Sequence, residues 1–305
     1  MLINSPLDLI GNTPLMKLNS IESFGNNIYL KLEGFNPSRS TKDRIVLAMI
    51  EKAEKDGLLD KDTTVIESTS GNTGISLAMI CAIKNYKLKI IMPDCMSLER
   101  IQLMRAYGAD VVLTPGEKGM KACMEKLEEL KKTEKKYFIP NQFTNEMNPM
   151  AHYEHTAEEI IADLDGKVDI FVCGTGTGGS FTGTARKLKE KVPGVKTYPS
   201  EPETSPLLSK GYIGHHDIQG MGMSLGHVPE VYDGSLADDI LLANYDKSIE
   251  YMKKLAREEG ILAGISSGAV LSVAIELAKK HKNENLNIVV FCNDSGEKYL
   301  SNNIF

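Results

Sequence analysis

The five cysteines of this chain, Cys81, Cys95, Cys123, Cys173 and Cys292, are odd in number, widely spaced and without a C-x-x-C pair. Neither a disulfide framework nor a cysteine zinc site is signalled, and a reducing compartment is expected. No apolar stretch is long enough to span a membrane. The first eight residues lack a basic region followed by an apolar one, so a cytoplasmic protein is expected. There is no long basic run, and the formal net charge is -6, which leaves no electrostatic footprint for nucleic acid and favours small-molecule partners. His152, His155, His215 and His216 have no acids or cysteines at ligand spacing, so no metal is expected. Fixed-period repeats and low-complexity segments are missing as well.

What is present is alternation. Short β-branched runs at 64–67, 89–92, 111–113, 137–139, 169–172, 196–198 and 288–291 read as strands. Helical spacing fills the intervals at 43–55, 75–84, 98–107, 118–131, 154–164 and 247–259. Strands joined by helices of this length predict right-handed crossovers and an α/β architecture of mostly parallel sheet covered on both faces. The polar stretch 141–149, closed by Pro149, is the candidate hinge between two lobes, with the site expected in the cleft between them.

Four loops could carry chemistry. Ser40-Thr41-Lys42-Asp43-Arg44 puts Lys42 where a loop becomes a helix. Thr69-Ser70-Gly71-Asn72-Thr73-Gly74 follows a strand and opens a helix, a setting for a carboxylate, although an ordinary capping loop fits this segment equally well. Gly174-Thr175-Gly176-Thr177-Gly178-Gly179-Ser180 also runs from strand into helix and can cradle a phosphate. Its glycines fit G-x-G-x-x-G as well, with Glu201 after the next strand, so a nicotinamide-dependent dehydrogenase is the rival reading. That rival leaves Lys42 and the Thr69 loop unexplained. The fourth loop, Gly264-Ile265-Ser266-Ser267-Gly268, reads on its own as a glycine turn with serine caps.

Taken together, these segments resemble the cysteine synthase (O-acetylserine sulfhydrylase) and cystathionine β-synthase family of fold type II pyridoxal 5'-phosphate enzymes. The resemblance runs from Ile10-Gly11-Asn12-Thr13-Pro14-Leu15 to Ser295-Gly296-Glu297-Lys298-Tyr299-Leu300 and includes Gln142-Phe143. It implies a two-lobed fold, with a larger cofactor-binding domain from 1–38 and 147–305. The smaller, mobile domain, 39–146, would carry Lys42 and the carboxylate loop.

The resemblance also implies roles. Lys42 would form the Schiff base with the cofactor and then take the substrate α-proton. Asn72 would bond the phenolic oxygen, and Gly176, Thr177, Gly178, Gly179 and Ser180 the phosphate, serine standing where the family usually has threonine. Thr69, Ser70, Thr73 and Gln142 would hold the substrate carboxylate. Ser266 would face the pyridine nitrogen, where a neutral hydroxyl makes a weaker electron sink than an aspartate and favours prompt loss of a β-substituent. The implied activity is β-replacement on O-acetyl-L-serine or L-cysteine through an aminoacrylate, with a homodimer and docking of a serine acetyltransferase tail.

One segment departs from the family pattern. After Gln219-Gly220-Met221-Gly222 the loop to Asp233 is longer than usual and carries His227. Asp233 is therefore a candidate base toward water or a thiol, in a sulfide-releasing enzyme that takes L-cysteine and forms serine or lanthionine. Solvated loop residues are the plainer reading of both. A non-catalytic regulatory homologue is disfavoured by Lys42.

Overall fold

The β-branched runs fold as two separate sheets, in a computed structural model that describes residues 2–69, 71–223 and 226–305. The strands are β1 (Leu15–Lys17), β2 (Asn27–Leu32), β3 (Thr64–Ser68), β4 (Lys87–Pro93), β5 (Asp110–Thr114), β6 (Tyr137–Phe138), β7 (Ile170–Gly174), β8 (Lys196–Pro202), β9 (Leu241–Ala243) and β10 (Asn287–Cys292). One sheet has the order β1-β2-β10-β7-β8-β9, the other β5-β4-β3-β6. Among the described residues, β1–β2 is the only antiparallel pair of these strands. The four-stranded sheet is thus one continuous insertion between β2 and β7 of the other.

Helices complete the crossovers: α1 (Lys42–Lys55), α2 (Asn72–Lys84), α3 (Leu98–Ala106), α4 (Gly119–Thr133), α5 (Met147–Ala151), α6 (Ala157–Asp163), α7 (Gly179–Lys191), α8 (Leu207–Lys210), α9 (Tyr245–Glu258) and α10 (Ile265–Lys280). The expected helix at 154–164 begins earlier, as a wide π-type turn over His152–Thr156 that runs into α6. Among the described residues no helix is long and apolar enough to cross a membrane.

Strand alternation explains why helices lie on both faces of each sheet. In β3 and β4, Val65, Ile90 and Met92 pack among Ile45, Ile50 and Ile75 of α1 and α2, while Ile66 and Ile91 meet Cys123, Leu127 and Leu130 of α4. In β10, Ile288 and Val290 face Val270 and Ala274 of α10, whereas Val289 and Phe291 face Phe181 and Leu188 of α7. Nearly every residue of α10 is buried, as befits a helix enclosed by other elements.

This topology places the chemistry. The β3–α2 and β7–α7 turns lie at the carboxyl ends of parallel strands, where open α/β sheets bind ligands, and β10 ends next to Asn293 and Asp294.

Candidate active site

Three of the longer helices start on a glycine. The N-cap residues of α2, α7 and α10 are Gly71, Gly178 and Gly264, none of which has a side chain to satisfy the first amides. The Gly179 amide donates to Thr177 Oγ1 at 3.3 Å, and the Gly74 and Ser267 amides to the Gly71 and Gly264 carbonyls at 3.0 Å. The amides that remain, at the positive end of each helix dipole, can meet an anion or a polar ligand. Residues from all three helix starts line one cleft of about 440 Å³, and Lys42, the first residue of α1, lines it too.

Lys42 is half-buried and faces this cleft. Burial pushes its amine below the ordinary lysine range, opposed in part by Cys173 and Asp294. Its neighbours are firmly tied. Asp43 Oδ2 accepts from the Ser38 amide at 2.7 Å, and its Oδ1 accepts from the hydroxyls of Ser38 and of Ser76 on α2. Arg44 makes buried ion pairs to Glu33 and Glu159.

Thr69, Thr73 and Gln142, expected from the resemblance to form the wall for the substrate carboxylate, line the same cleft. Thr73 Oγ1 donates to Gln142 Oε1 at 2.8 Å, joining the start of α2 to the segment that follows β6. Ser70, assigned to this wall by resemblance, lies outside the described residues.

In the β7–α7 turn, Gly176 and Thr177 line the cleft, with Gly178, Gly179 and Ser180 directly following. The glycines are required. Gly178 has φ +87, and a Cβ on Gly179 would stand 2.0 Å from Asn148 Oδ1. Thr177 Oγ1 accepts from Asn148 Nδ2 at 3.0 Å, and the Ser180 hydroxyl is bonded to His152 Nε2 at 3.1 Å. Burial holds that imidazole neutral, pushing it down to about 3.

Ser266, the second residue of α10, is 1% exposed and also lines the cleft. A Cβ on Gly220 would lie 3.3 Å from its Oγ, so glycine keeps the approach to this hydroxyl open. Asn293 Nδ2 donates to Ser266 Oγ at 3.2 Å, leaving the hydroxyl proton to be given elsewhere. Uncapped amides for a phosphate, a hydroxyl for a ring nitrogen and a partly desolvated lysine in one cleft fit pyridoxal 5'-phosphate.

Several residues of this site were missed by sequence reasoning. Asn293 and Asp294 directly follow β10, and their place at the carboxyl end of a parallel strand was the signal available. Lys298 donates to Asn72 Oδ1 at 2.7 Å. Arg100 of α3 is 4% exposed, lines the cleft and donates to Gln219 Oε1 at 2.8 Å.

Asp233 is the candidate that the structure does not bring in. Its carboxylate accepts from the Ser235 amide and hydroxyl at 3.1 and 2.6 Å and lies 3.5 Å from Arg186 Nη2, so it caps the turn Gly234–Leu236 and does not line the cleft. These Ser235 bonds, with Arg186 adding, hold it below the ordinary carboxylate range. His227 is exposed and is not part of the cleft lining either. Glu201 accepts from the amides of Leu208 and Ser209 at the start of α8, so it is a structural acceptor and no ribose ligand. Among the described residues no histidine, cysteine and acid cluster could hold a metal. A larger groove, about 540 Å³ between α1 and α6, is rimmed by Glu51, Glu154 and Glu158 and contains none of the expected site residues.

The comparisons agree with this geometry. The profile of a family described as pyridoxal-phosphate dependent enzyme matches residues 6–294. A cysteine synthase of Staphylococcus aureus (strain Mu50 / ATCC 700699) is 43% identical over 99% of this chain and 97% of its own. Among solved structures, a hydrogen sulfide-producing enzyme from Fusobacterium nucleatum is 69% identical, with TM-score 0.96 over 98% of each chain. A cysteine synthase from Entamoeba histolytica is 40% identical, with TM-score 0.95, covering 100% of this chain and 91% of that one. With a lysine, a glycine-rich turn and a buried serine hydroxyl in one cleft, and relatives matched end to end, this chain belongs to the pyridoxal-phosphate dependent enzymes, in the cysteine synthase branch.

Proposed function

We propose that the chain catalyses β-replacement on a β-substituted L-alanine, with O-acetyl-L-serine or L-cysteine as donor. The observation that carries this reading is the convergence of Lys42 and three glycine-started helices on one cleft. Bound there, pyridoxal 5'-phosphate supplies the electron sink that weakens the substrate Cα–H bond and lets a β-substituent leave. The amides at the start of α7, with the hydroxyls of Thr177 and Ser180, bind the phosphate. Those of α2, with Thr69, Ser70, Thr73 and Gln142, bind the substrate carboxylate. Ser266 offers its proton to the ring nitrogen. Lys42, whose amine is disposed to lose its proton by burial, takes the proton from the substrate Cα.

The same reading gives residues 39–146 as the lobe that closes over the cleft and excludes water from the reacting β-carbon. It extends to a homodimer, to docking of a serine acetyltransferase tail in the cleft, and to a cytoplasmic setting. Four of the five free cysteines are buried, which suits a reducing compartment.

A second reading, release of sulfide from L-cysteine with water or a thiol as acceptor, is favoured by the 69% identity to an enzyme described as hydrogen sulfide-producing. A catalytic Asp233 would require its carboxylate to leave Ser235 and Arg186.

Two measurements test these readings. The purified protein should be yellow, and a colourless protein that pyridoxal 5'-phosphate cannot reconstitute contradicts both. If cysteine alone yields sulfide faster than O-acetylserine plus sulfide yields cysteine, the second reading stands; the reverse selects the first.

A further inference from the structure

Asn72 sits between two buried groups of opposite charge. Lys298 Nζ donates to its Oδ1 at 2.7 Å, and its Nδ2 donates to Asp294 Oδ2 at 2.9 Å. Lys298 and Asp294 are 2% and 1% exposed. Lys298 also donates to the Arg39 carbonyl at 3.1 Å, and the hydroxyl of the fully buried Tyr299 donates at 2.6 Å to the same Asp294 Oδ2 that takes the Asn72 amide.

An ammonium can only donate and a carboxylate can only accept. The amide of Asn72 therefore has one permitted orientation, because a flip would set N–H against ammonium and C=O against carboxylate where the local dielectric is low. One of the two N–H groups of Nδ2 is taken by Asp294. The other remains for the cleft, which Asn72 lines. Burial lowers the Lys298 amine to about 8, against Asp294 and Asp43, so it carries its proton at neutral pH. The arrangement also spans the fold, since Asn72 opens α2 beside the four-stranded sheet while Asp294 and Lys298 follow β10 of the other.

We propose that Lys298 and Asp294 are positioning residues that fix Asn72 as a hydrogen-bond donor, so that the phenolic oxygen of the cofactor is held as an oxyanion. This rests on the reading in which Asn72 faces that oxygen. It follows that the charge state of the bound cofactor depends on two residues that do not themselves have to touch it.

The test uses the full chain stripped of cofactor and reloaded with pyridoxal 5'-phosphate at neutral pH. Wild type, Lys298→Met, Lys298→Arg and Asp294→Asn are compared by absorption spectrum, cofactor Kd and Tm. Lys298→Met should weaken the cofactor about tenfold, as expected when a charge-assisted hydrogen bond is lost. It should also move absorbance from the visible band to the near ultraviolet, where the neutral phenol form absorbs. Lys298→Arg should restore the visible band, and Asp294→Asn should give a smaller shift in the same direction as Lys298→Met, which covers the case in which Lys298→Met fails to fold. A visible band and Kd unchanged in Asp294→Asn and in any folded Lys298→Met, with only Tm lowered, would show a structural role and overturn the proposal. A wild-type protein that gives no visible band overturns the cofactor reading itself, and this inference with it.

Discussion

Arg44 and Glu159 meet as two planar forks, Nη1 to Oε1 and Nη2 to Oε2, both at 2.7 Å. The same guanidinium takes the fully buried Glu33 through Nε at 2.7 Å and Nη2 at 2.9 Å. Since Arg44 lies two residues beyond Lys42, this clamp fixes the first turn of α1 to the end of β2 and to α6. Paired buried charges add modest net stability, but removing one partner strands the other. Arg44→Met should therefore cost about 3–5 kcal/mol in urea unfolding, because Glu33 is left without its cation.

The clamp also has a pH signature. Burial alone would raise Glu159, but Arg44 and Lys31 bring it down to about 2 from its ordinary 4.5. A lowered carboxylate stabilises the fold above its unfolded value, and that contribution is lost as pH falls from about 4.5 toward about 2. Glu159→Gln should be less stable than wild type at neutral pH, with the gap narrowing over this acid window in urea melts.

Glu67 has the opposite sign. It is buried at the end of β3, where it accepts from the amides of Ser68 and Asn141, and burial pushes it up to about 7 despite those bonds. The unfolded chain releases this proton near 4.5, so the contribution of Glu67 to stability is full below that value and is lost as pH rises through about 7. The loss amounts to about 3 kcal/mol. Glu67→Gln should remove this slope, and urea melts at a series of pH values compare the two proteins directly.

At the β7–α7 turn, Gly178→Ala is expected to lower stability by about 1–3 kcal/mol, since its φ of +87 disfavours any side chain and a Cβ would lie 2.7 Å from the Tyr232 side chain. Cofactor affinity should fall with it. Gly71, the corresponding start of α2, has open space where a Cβ would project and a φ of -150. Gly71→Ala should change Tm little, about 0.5 kcal/mol or less in stability.

Much of the fold was legible because the chain signals it locally. Every strand expected from a β-branched run is present, and α1, α2, α3, α4 and α9 begin within about three residues of where helical spacing put them. The strands overlooked were β1 and β9, three residues each, and β2, whose pattern is obscured by Lys31, a fully buried lysine paired with Glu159. The glycine and hydroxyl loops announced the cleft. What stayed hidden depends on partners distant in the chain. Asp294 matters through Asn72, Asn293 through Ser266, and the bonds of Asp233 to Ser235 and Arg186 exist only once the turn is folded.

The most direct test of the account asks which lysine carries the cofactor. The protein is loaded with pyridoxal 5'-phosphate, reduced with borohydride to fix the cofactor where it is attached, digested, and read by peptide mass spectrometry. Modification is expected at Lys42 alone. Attachment at Lys298 or at any other lysine, or a fully loaded protein with Lys42 unmodified, would contradict the site described.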